Sequence, residues 1–89
     1  SMTPTIPDGA LVLVHAAEMT VTREGIFAYS RDGQAFIKRL VPSDLDEAGR
    51  ARTIAIVSDN RDYPVEVLVG DRLNEIRIAG RIRCAMVDL

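Results

Sequence analysis

Two side chains of this 89-residue chain could together perform acyl-transfer chemistry: Ser1 and Lys38, which lie 37 positions apart, at positions 1 and 38. A serine hydroxyl is a weak nucleophile until a base accepts its proton, and a desolvated, neutral lysine can act as that base. In water a lysine is a cation at neutral pH, so apolar surroundings are needed to favour its neutral form. The elements around these residues must therefore hold the serine in place and shield the lysine.

The first nine residues can hold the serine. Pro4 and Pro7 lack backbone donors and push the residues before them towards extended conformations, and Asp8-Gly9 is typical of a turn. We therefore expect a stiff, extended segment that presents Ser1. The competing interpretation of Ser1 is a serine left over from recombinant production.

A hairpin can shield the lysine. The apolar stretches 26–30 and 35–40 flank Asp32-Gly33, a dipeptide typical of a two-residue β-hairpin loop. With that loop, strand alternation predicts that Lys38 shares one face of the hairpin with three aromatic side chains, those of Phe27, Tyr29 and Phe36. Arg39 points to the opposite face. A register shift of one residue would reverse these faces. The competing interpretation is a Lys38 that extends past its apolar neighbours into water.

Several sequence blocks, in this order, resemble the LexA-like peptidase domain of LexA, lambda-type phage repressors and UmuD. They are Ser1-Met2-x-Pro4-Thr5-Ile6, Leu11–Val14, Gly25–Phe27, Phe36–Leu40, Ile56–Pro64 and Ile78-x-Gly80-Arg81. The resemblance implies a mainly β fold, a strongly bent sheet of the signal-peptidase-like type with hairpins and little helix. It also implies that Ser1 is the nucleophile, that Lys38 is the base, and that Met2 lies next to the oxyanion site.

The same resemblance implies a biological setting. Residues 1–89 would be one peptidase and dimerisation domain of a transcriptional repressor, without its upstream cleavage segment and its DNA-binding domain. It would form a homodimer and cut its own chain upstream, with the RecA filament as a possible trigger. Residues 1–89 alone would show little activity. The alternatives are a non-catalytic dimerisation module controlled by a partner and a UmuD-like polymerase accessory subunit. A signal peptidase would need a membrane anchor.

Composition narrows the function classes. A net charge of −2 gives no basic surface for nucleic acid, so DNA contact is expected only through an upstream domain. No apolar run approaches the length of about 20 residues that spans a membrane, and we expect a cytoplasmic protein. Cys84 is the single cysteine and His15 the single histidine, so neither an internal disulfide nor a zinc site is expected, and no cofactor is predicted.

The remaining segments predict further strands and loops. We expect residues 10–14 to form a strand buried on both faces, 42–52 a solvated loop or a helical turn, and 53–58 a strand. A turn-rich loop follows, in which Asp59 and Asn60 cap the backbone. Residues 73–89 predict two strands or one long bulged strand, and their arginines, Arg77, Arg81 and Arg83, are interpreted as a solvated face rather than a phosphate site. His15 is expected to be a partly exposed residue at a strand end.

Overall fold

The computed structural model describes residues 2, 5, 6, 9 and 11–86, with side chains as far as residue 83. Within that part of the chain the protein is mainly β with little helix, as predicted. The elements are β1 (Leu11–His15), β2 (Gly25–Arg31), β3 (Gln34–Leu45), β4 (Ala51–Val57), β5 (Glu66–Val69), a 3-10 helix (Gly70–Glu75) and β6 (Arg77–Met86).

The strands form one antiparallel sheet in the order β1-β6-β2-β3-β4-β5. Its central hairpin, β2–β3, has the predicted two-residue loop, with φ of 52° at Asp32 and 76° at Gly33. Positive φ at both loop residues is the conformation that matches the right-handed twist of the flanking strands. Phe27 consequently lies opposite Lys38 and Tyr29 opposite Phe36, so the predicted register is confirmed.

The core lies on one face of this sheet. Phe27, Leu40 and Leu68 are fully buried, and they belong to a cluster completed by Val21, Tyr29, Ile54 and Ile56. Because side chains alternate along a strand, Lys38 shares this face with its strand neighbours at positions 36 and 40. A lysine thus lies on the same face as the core, and the cluster around it is the candidate site.

Strand β1 was predicted to be buried on both faces, and this was wrong. Leu11 is 61% exposed and Leu13 is 55% exposed. The strand is at the edge of the sheet and pairs only with β6. An apolar run of strand length does not by itself reveal whether a second layer covers it. The prediction for His15 is confirmed, since it ends β1 and is exposed.

The segment 42–52 was predicted to be a loop or a helical turn, yet β3 continues to Leu45 and only residues 46–50 connect it to β4. The extension pairs with β4 alone, because the pairing with β2 stops at Gly25 opposite Leu40. Pro42 therefore costs no ladder bond on that unpaired side, which is where a strand tolerates proline.

The C-terminal region is one long bulged strand, the second of the two predicted possibilities. The register of β6 shifts once against β1, between Leu13 and Val14, and once against β2, between Ala28 and Tyr29. A Cβ on Gly80 would lie 2.5 Å from the His15 carbonyl oxygen, so the close approach of β1 requires glycine there. The six-residue 3-10 helix before β6 was not predicted.

The N-terminal segment turns where an extended segment was predicted. The Ile6 N–H donates to the Met2 carbonyl at 2.8 Å, and Met2 is buried. Two anchors explain the turn: the buried Met2 side chain and the Thr5 hydroxyl, which bonds to Asp59. Ser1, Pro4, Pro7 and Asp8 lie outside the described residues.

Candidate active site around Lys38

The Lys38 amine lies between two side chains of the loop that follows β4. It donates a hydrogen bond to Ser58 Oγ at 2.7 Å and lies 4.9 Å from the centroid of the Tyr63 ring. Among the residues described, no carboxylate lies within ion-pairing distance of it. Lys38 is also the one lysine among the eleven basic residues of the sequence. The amine therefore has a neutral hydrogen-bond acceptor and an aromatic ring as its neighbours.

A cavity of about 500 Å³ opens beside this amine. The Tyr29 and Phe36 rings stack in its wall with their centroids 5.5 Å apart. Burial raises the pKa of the Tyr29 phenol above its ordinary value, so that side chain stays uncharged at neutral pH. Further apolar lining comes from Ile56, Pro64 and Val65. The amine thus borders an apolar space that could hold a peptide side chain.

An ion-pair network closes one side of the cavity. Arg31 donates two hydrogen bonds to Glu66, at 2.7 and 2.9 Å, and a third to Glu75. The bonds from Arg31 lower the pKa of Glu66, and a bond from Arg72 followed by one from Arg31 lowers the pKa of Glu75. These carboxylates remain ionised and paired with arginines, so the network fixes the cavity wall without placing a free acid beside Lys38.

A second set of polar contacts fixes the loop that carries Ser58. Asp59 accepts two hydrogen bonds from Arg39, at 2.9 and 2.7 Å, and one from the Thr5 hydroxyl at 2.6 Å. The bonds from Arg39 lower the pKa of Asp59 to about 2, with the Thr5 bond contributing in the same direction. This trio, Thr5, Arg39 and Asp59, is called the latch below. It brings the N-terminal segment against the residue next to Ser58.

The two capping predictions in this loop had different outcomes. Asn60 Oδ1 accepts the Asp62 N–H at 3.0 Å, so the prediction for Asn60 is confirmed. The prediction for Asp59 was wrong, because its carboxylate bonds to the side chains of the latch instead of to the turn backbone. A guanidinium within reach offers two charge-assisted bonds, which are stronger than a bond to a neutral amide.

The predicted site residues are only partly brought together. Tyr29, Phe36 and Lys38 line one cavity. Phe27 lies directly opposite Lys38 but is fully buried and does not line that cavity. Met2 is buried, whereas Ser1 lies outside the described residues. Their proposed roles in catalysis therefore remain predictions.

Sequence reasoning missed Ser58 as a neighbour of Lys38. The register of β3 with β4 pairs Arg39 with Val57, so the next position along β4 falls opposite Lys38. The predicted strand at 53–58 was the available signal. It could not be used because the segment between the two strands was interpreted as a loop, which left their register undefined.

The interpretation of all three C-terminal arginines as a solvated face was wrong for Arg81. Arg81 is 7% exposed, and its guanidinium carbon lies 4.5 Å from the centre of the Phe27 ring. It donates to the carbonyls of Glu24 and Arg23 at 3.0 and 3.2 Å, and its Nε lies 3.2 Å from a Glu18 carboxylate oxygen. Arg81 thereby ties the loop before β2 to β6.

Other kinds of site find no support in the part of the chain that the structure describes. No group of three or more His, Cys, Asp and Glu side chains there is arranged to hold a metal ion. Over the same residues, no helix has the length and apolar character that crossing a membrane requires.

Comparison with known proteins gives one clear similarity. The sequence model of the family described as Peptidase S24-like matches residues 1–83. The matched range includes Lys38, its neighbours Ser58 and Tyr63, and Ser1. A search of curated proteins finds no match.

Proposed function

Since this chain belongs to the Peptidase S24-like family, we propose that it is a self-cleaving serine peptidase domain in which Ser1 is the nucleophile and Lys38 the general base. The substrate is a peptide bond upstream in the same chain. The proposed context is a LexA-like or phage-type transcriptional repressor, in which cleavage separates this domain from an upstream DNA-binding domain. A RecA filament is the proposed trigger.

One observation supports the pairing of Ser1 with Lys38 most directly: the latch. Thr5 is four residues after Ser1, and its hydroxyl bonds to Asp59, the neighbour of the residue that accepts the Lys38 hydrogen bond. Met2, bonded covalently to Ser1, is buried and accepts a hydrogen bond from Ile6. The N-terminal segment is thus held beside the loop that contacts the proposed base.

The proposed reaction needs one proton carrier. Ser1 Oγ bonds to the scissile carbonyl carbon while its proton passes to the neutral amine of Lys38. The carbon–nitrogen bond then breaks, and Lys38 gives that proton to the leaving amine, which leaves an ester on Ser1. Water attacks the ester, Lys38 accepts the water proton, and its transfer to Ser1 Oγ releases the new carboxylate. The net reaction is the hydrolysis of one peptide bond.

The surroundings of Lys38 suit that role. A base must be neutral before it accepts a proton, and an adjacent carboxylate would favour the charged amine. The carboxylate that lines the cavity, that of Glu66, is instead paired with Arg31 and Arg72. The aromatic and aliphatic side chains that line the cavity reduce the contact of the Lys38 amine with water.

The experiment uses the chain extended upstream to its natural start, incubated at alkaline pH and followed by intact mass. Deprotonation of the lysine without any activator should produce a single cut upstream of Ser1. Ser1→Ala and Lys38→Ala should each abolish the cut, whereas Arg61→Ala, a substitution of an exposed loop residue, should leave it intact. Cleavage that survives Lys38→Ala would refute the dyad.

We propose that the domain also forms a homodimer, and the edge strand β1 supports this. It exposes Leu11, Leu13 and Val14, and an exposed apolar strand edge favours association with a second chain. A non-catalytic dimerisation module is the second candidate. A chain that stays whole at alkaline pH but sediments as a dimer would favour this candidate over the peptidase.

A further inference from the structure

We propose that Ser58 is a positioning residue, whose hydroxyl orients the Lys38 amine for proton transfer. The inference rests on the proposed function, because it takes Lys38 to be the base. It assigns a role to a residue outside the Ser1 and Lys38 pair. The hydroxyl lies 2.7 Å from the amine nitrogen, which is the distance of a good hydrogen bond.

The backbone around Ser58 is held on both sides, so its hydroxyl occupies a defined position. On the N-terminal side, β4 pairs with β3 up to Val57, opposite Arg39. On the C-terminal side, the latch fixes Asp59 through Arg39 and Thr5, and Asn60 closes the turn onto Asp62. A residue between a strand end and a fixed carboxylate can serve as a rigid support for a flexible side chain.

The chemistry explains why a hydroxyl is suited to this position. A neutral lysine amine has two N–H donors and one lone pair, and only the lone pair can accept the serine proton. Donating one N–H to Ser58 Oγ restricts rotation about the Cε–Nζ bond and directs the lone pair away from Ser58. A hydroxyl does this without the charge of a carboxylate, which would favour the ammonium form. The Tyr63 ring limits the amine on a further side.

The first test compares two variants of nearly equal shape in the upstream-extended chain, Ser58→Thr and Ser58→Val. Threonine retains a hydroxyl and valine does not. We expect Ser58→Val to cleave about 10- to 100-fold more slowly than the parent, and Ser58→Thr to cleave within about threefold of it. Urea unfolding of both variants checks that the domain remains folded. Equal rates for Ser58→Val and the parent would overturn the proposal.

The pH dependence of the cleavage rate distinguishes a misoriented Lys38 amine from a protonated one. An amine that points the wrong way stays slow even when every molecule is deprotonated. The Ser58→Val deficit should therefore persist where the cleavage rate no longer rises with pH. A deficit that vanishes there would contradict the positioning role. Cleavage that continues in Ser1→Ala but stops in Ser58→Ala would make Ser58 the nucleophile, and both proposals would fall.

A second measurement does not depend on cleavage. Because the 89-residue chain contains one lysine, ¹³C-labelled lysine reports Lys38 alone. NMR relaxation of its Cε methylene should show an ordered side chain in the parent and Ser58→Thr, and a mobile one in Ser58→Val. If this pattern holds while the parent never cleaves, the proposed function fails and the positioning contact stands. If Lys38 is equally mobile in all three chains, the positioning proposal fails by itself.

Discussion

Two basic side chains flank the same buried ring and have opposite surroundings. Phe27 on β2 has Lys38 directly opposite on β3 and Arg81 directly opposite on β6. Arg81 is buried and held by two carbonyls, one carboxylate and the ring itself. Lys38 contacts a hydroxyl, the Tyr63 ring and the edge of a cavity. Burial with many polar partners gives Arg81 a structural role, whereas Lys38, with only uncharged neighbours beside a cavity, is in the position that the proposed base requires.

The largest expected effects separate these two basic side chains. Lys38→Met should lower the self-cleavage rate of the upstream-extended chain at least about a thousandfold, because the proton acceptor is lost. Its free energy of unfolding should change by less than about 1 kcal/mol, since the lysine lacks an ion-pair partner among the described side chains.

Arg81→Met should show the opposite pattern. It leaves two carbonyls without their buried donor, removes the cation nearest to Glu18 Oε2, and should lower the free energy of unfolding by about 3 kcal/mol. Urea unfolding and intact-mass kinetics on both variants test the contrast. Comparable stability losses from Lys38→Met and Arg81→Met would remove the distinction between them.

The next effect concerns the latch, which fixes the loop that follows β4 through Arg39, on the sheet face opposite to Lys38. The pKa of the Asp59 carboxyl is lowered from its ordinary value of 3.8 to about 2, chiefly through Arg39. A lowered carboxyl pKa contributes stability that is present above pH 3.8 and is lost as the pH falls towards 2. We expect Asp59→Asn to reduce the free energy of unfolding by about 2 kcal/mol at neutral pH.

The difference between parent and Asp59→Asn should shrink below about pH 4 and disappear near pH 2. Denaturant unfolding across this range measures it, and subtracting the variant removes the contribution of carboxylates common to both chains. Asp62→Asn, in the exposed turn of the same loop, is the matched control. A difference that does not change with pH would show that the latch carries no charge-dependent stability.

The smallest expected effect on stability concerns Gly25, which lies against the Arg81 guanidinium. A Cβ on Gly25 would lie 1.7 Å from Arg81 Nη1, so the guanidinium requires glycine at this strand start. We expect Gly25→Ala to cost about 1 to 2 kcal/mol in the parent and much less in an Arg81→Met background, because contacting sites are not additive.

Gly33→Ala provides the comparison for Gly25→Ala. Gly33 has a φ of 76°, and a Cβ added there would meet nothing within 4 Å, so the cost of the substitution is conformational. That cost should be the same with either residue at position 81. Additive costs for Gly25→Ala and Arg81→Met in denaturant unfolding would contradict the close approach.

The surroundings of Lys38 could be predicted from the sequence to a greater extent than those of Arg81. The register around Lys38 was predictable because Asp32-Gly33 is a local signal that fixes every pair from Gly25 to Leu40. The partners of Arg81 were not, since they lie more than fifty positions away across a strand pair with a bulge. A local turn carries its own register, whereas a long-range pairing depends on tertiary packing.

The prediction that β1 is buried was wrong, and the contact of Ser58 with Lys38 was missed, for the same reason. Neither the place of β1 at the sheet edge nor the continuation of β3 past Pro42 is encoded in a short stretch of sequence. Both depend on which strands are neighbours in the sheet, and hydrophobic periodicity does not identify those neighbours. The choice of Lys38 as the proposed base, in contrast, rested on the family resemblance, because a lysine among aromatic residues at alternating positions is also compatible with a side chain that extends into water.

The pairing of β1 with β6 has a consequence for the order of folding. The hairpin that carries Lys38 closes a two-residue loop and can form within microseconds, whereas β1 must find a strand some seventy positions away. We therefore expect amides of β2 and β3 to gain protection early in refolding and those of β1 to gain it last, which pulsed hydrogen exchange would resolve. The strands that surround Lys38 would thus form before β1 pairs with β6.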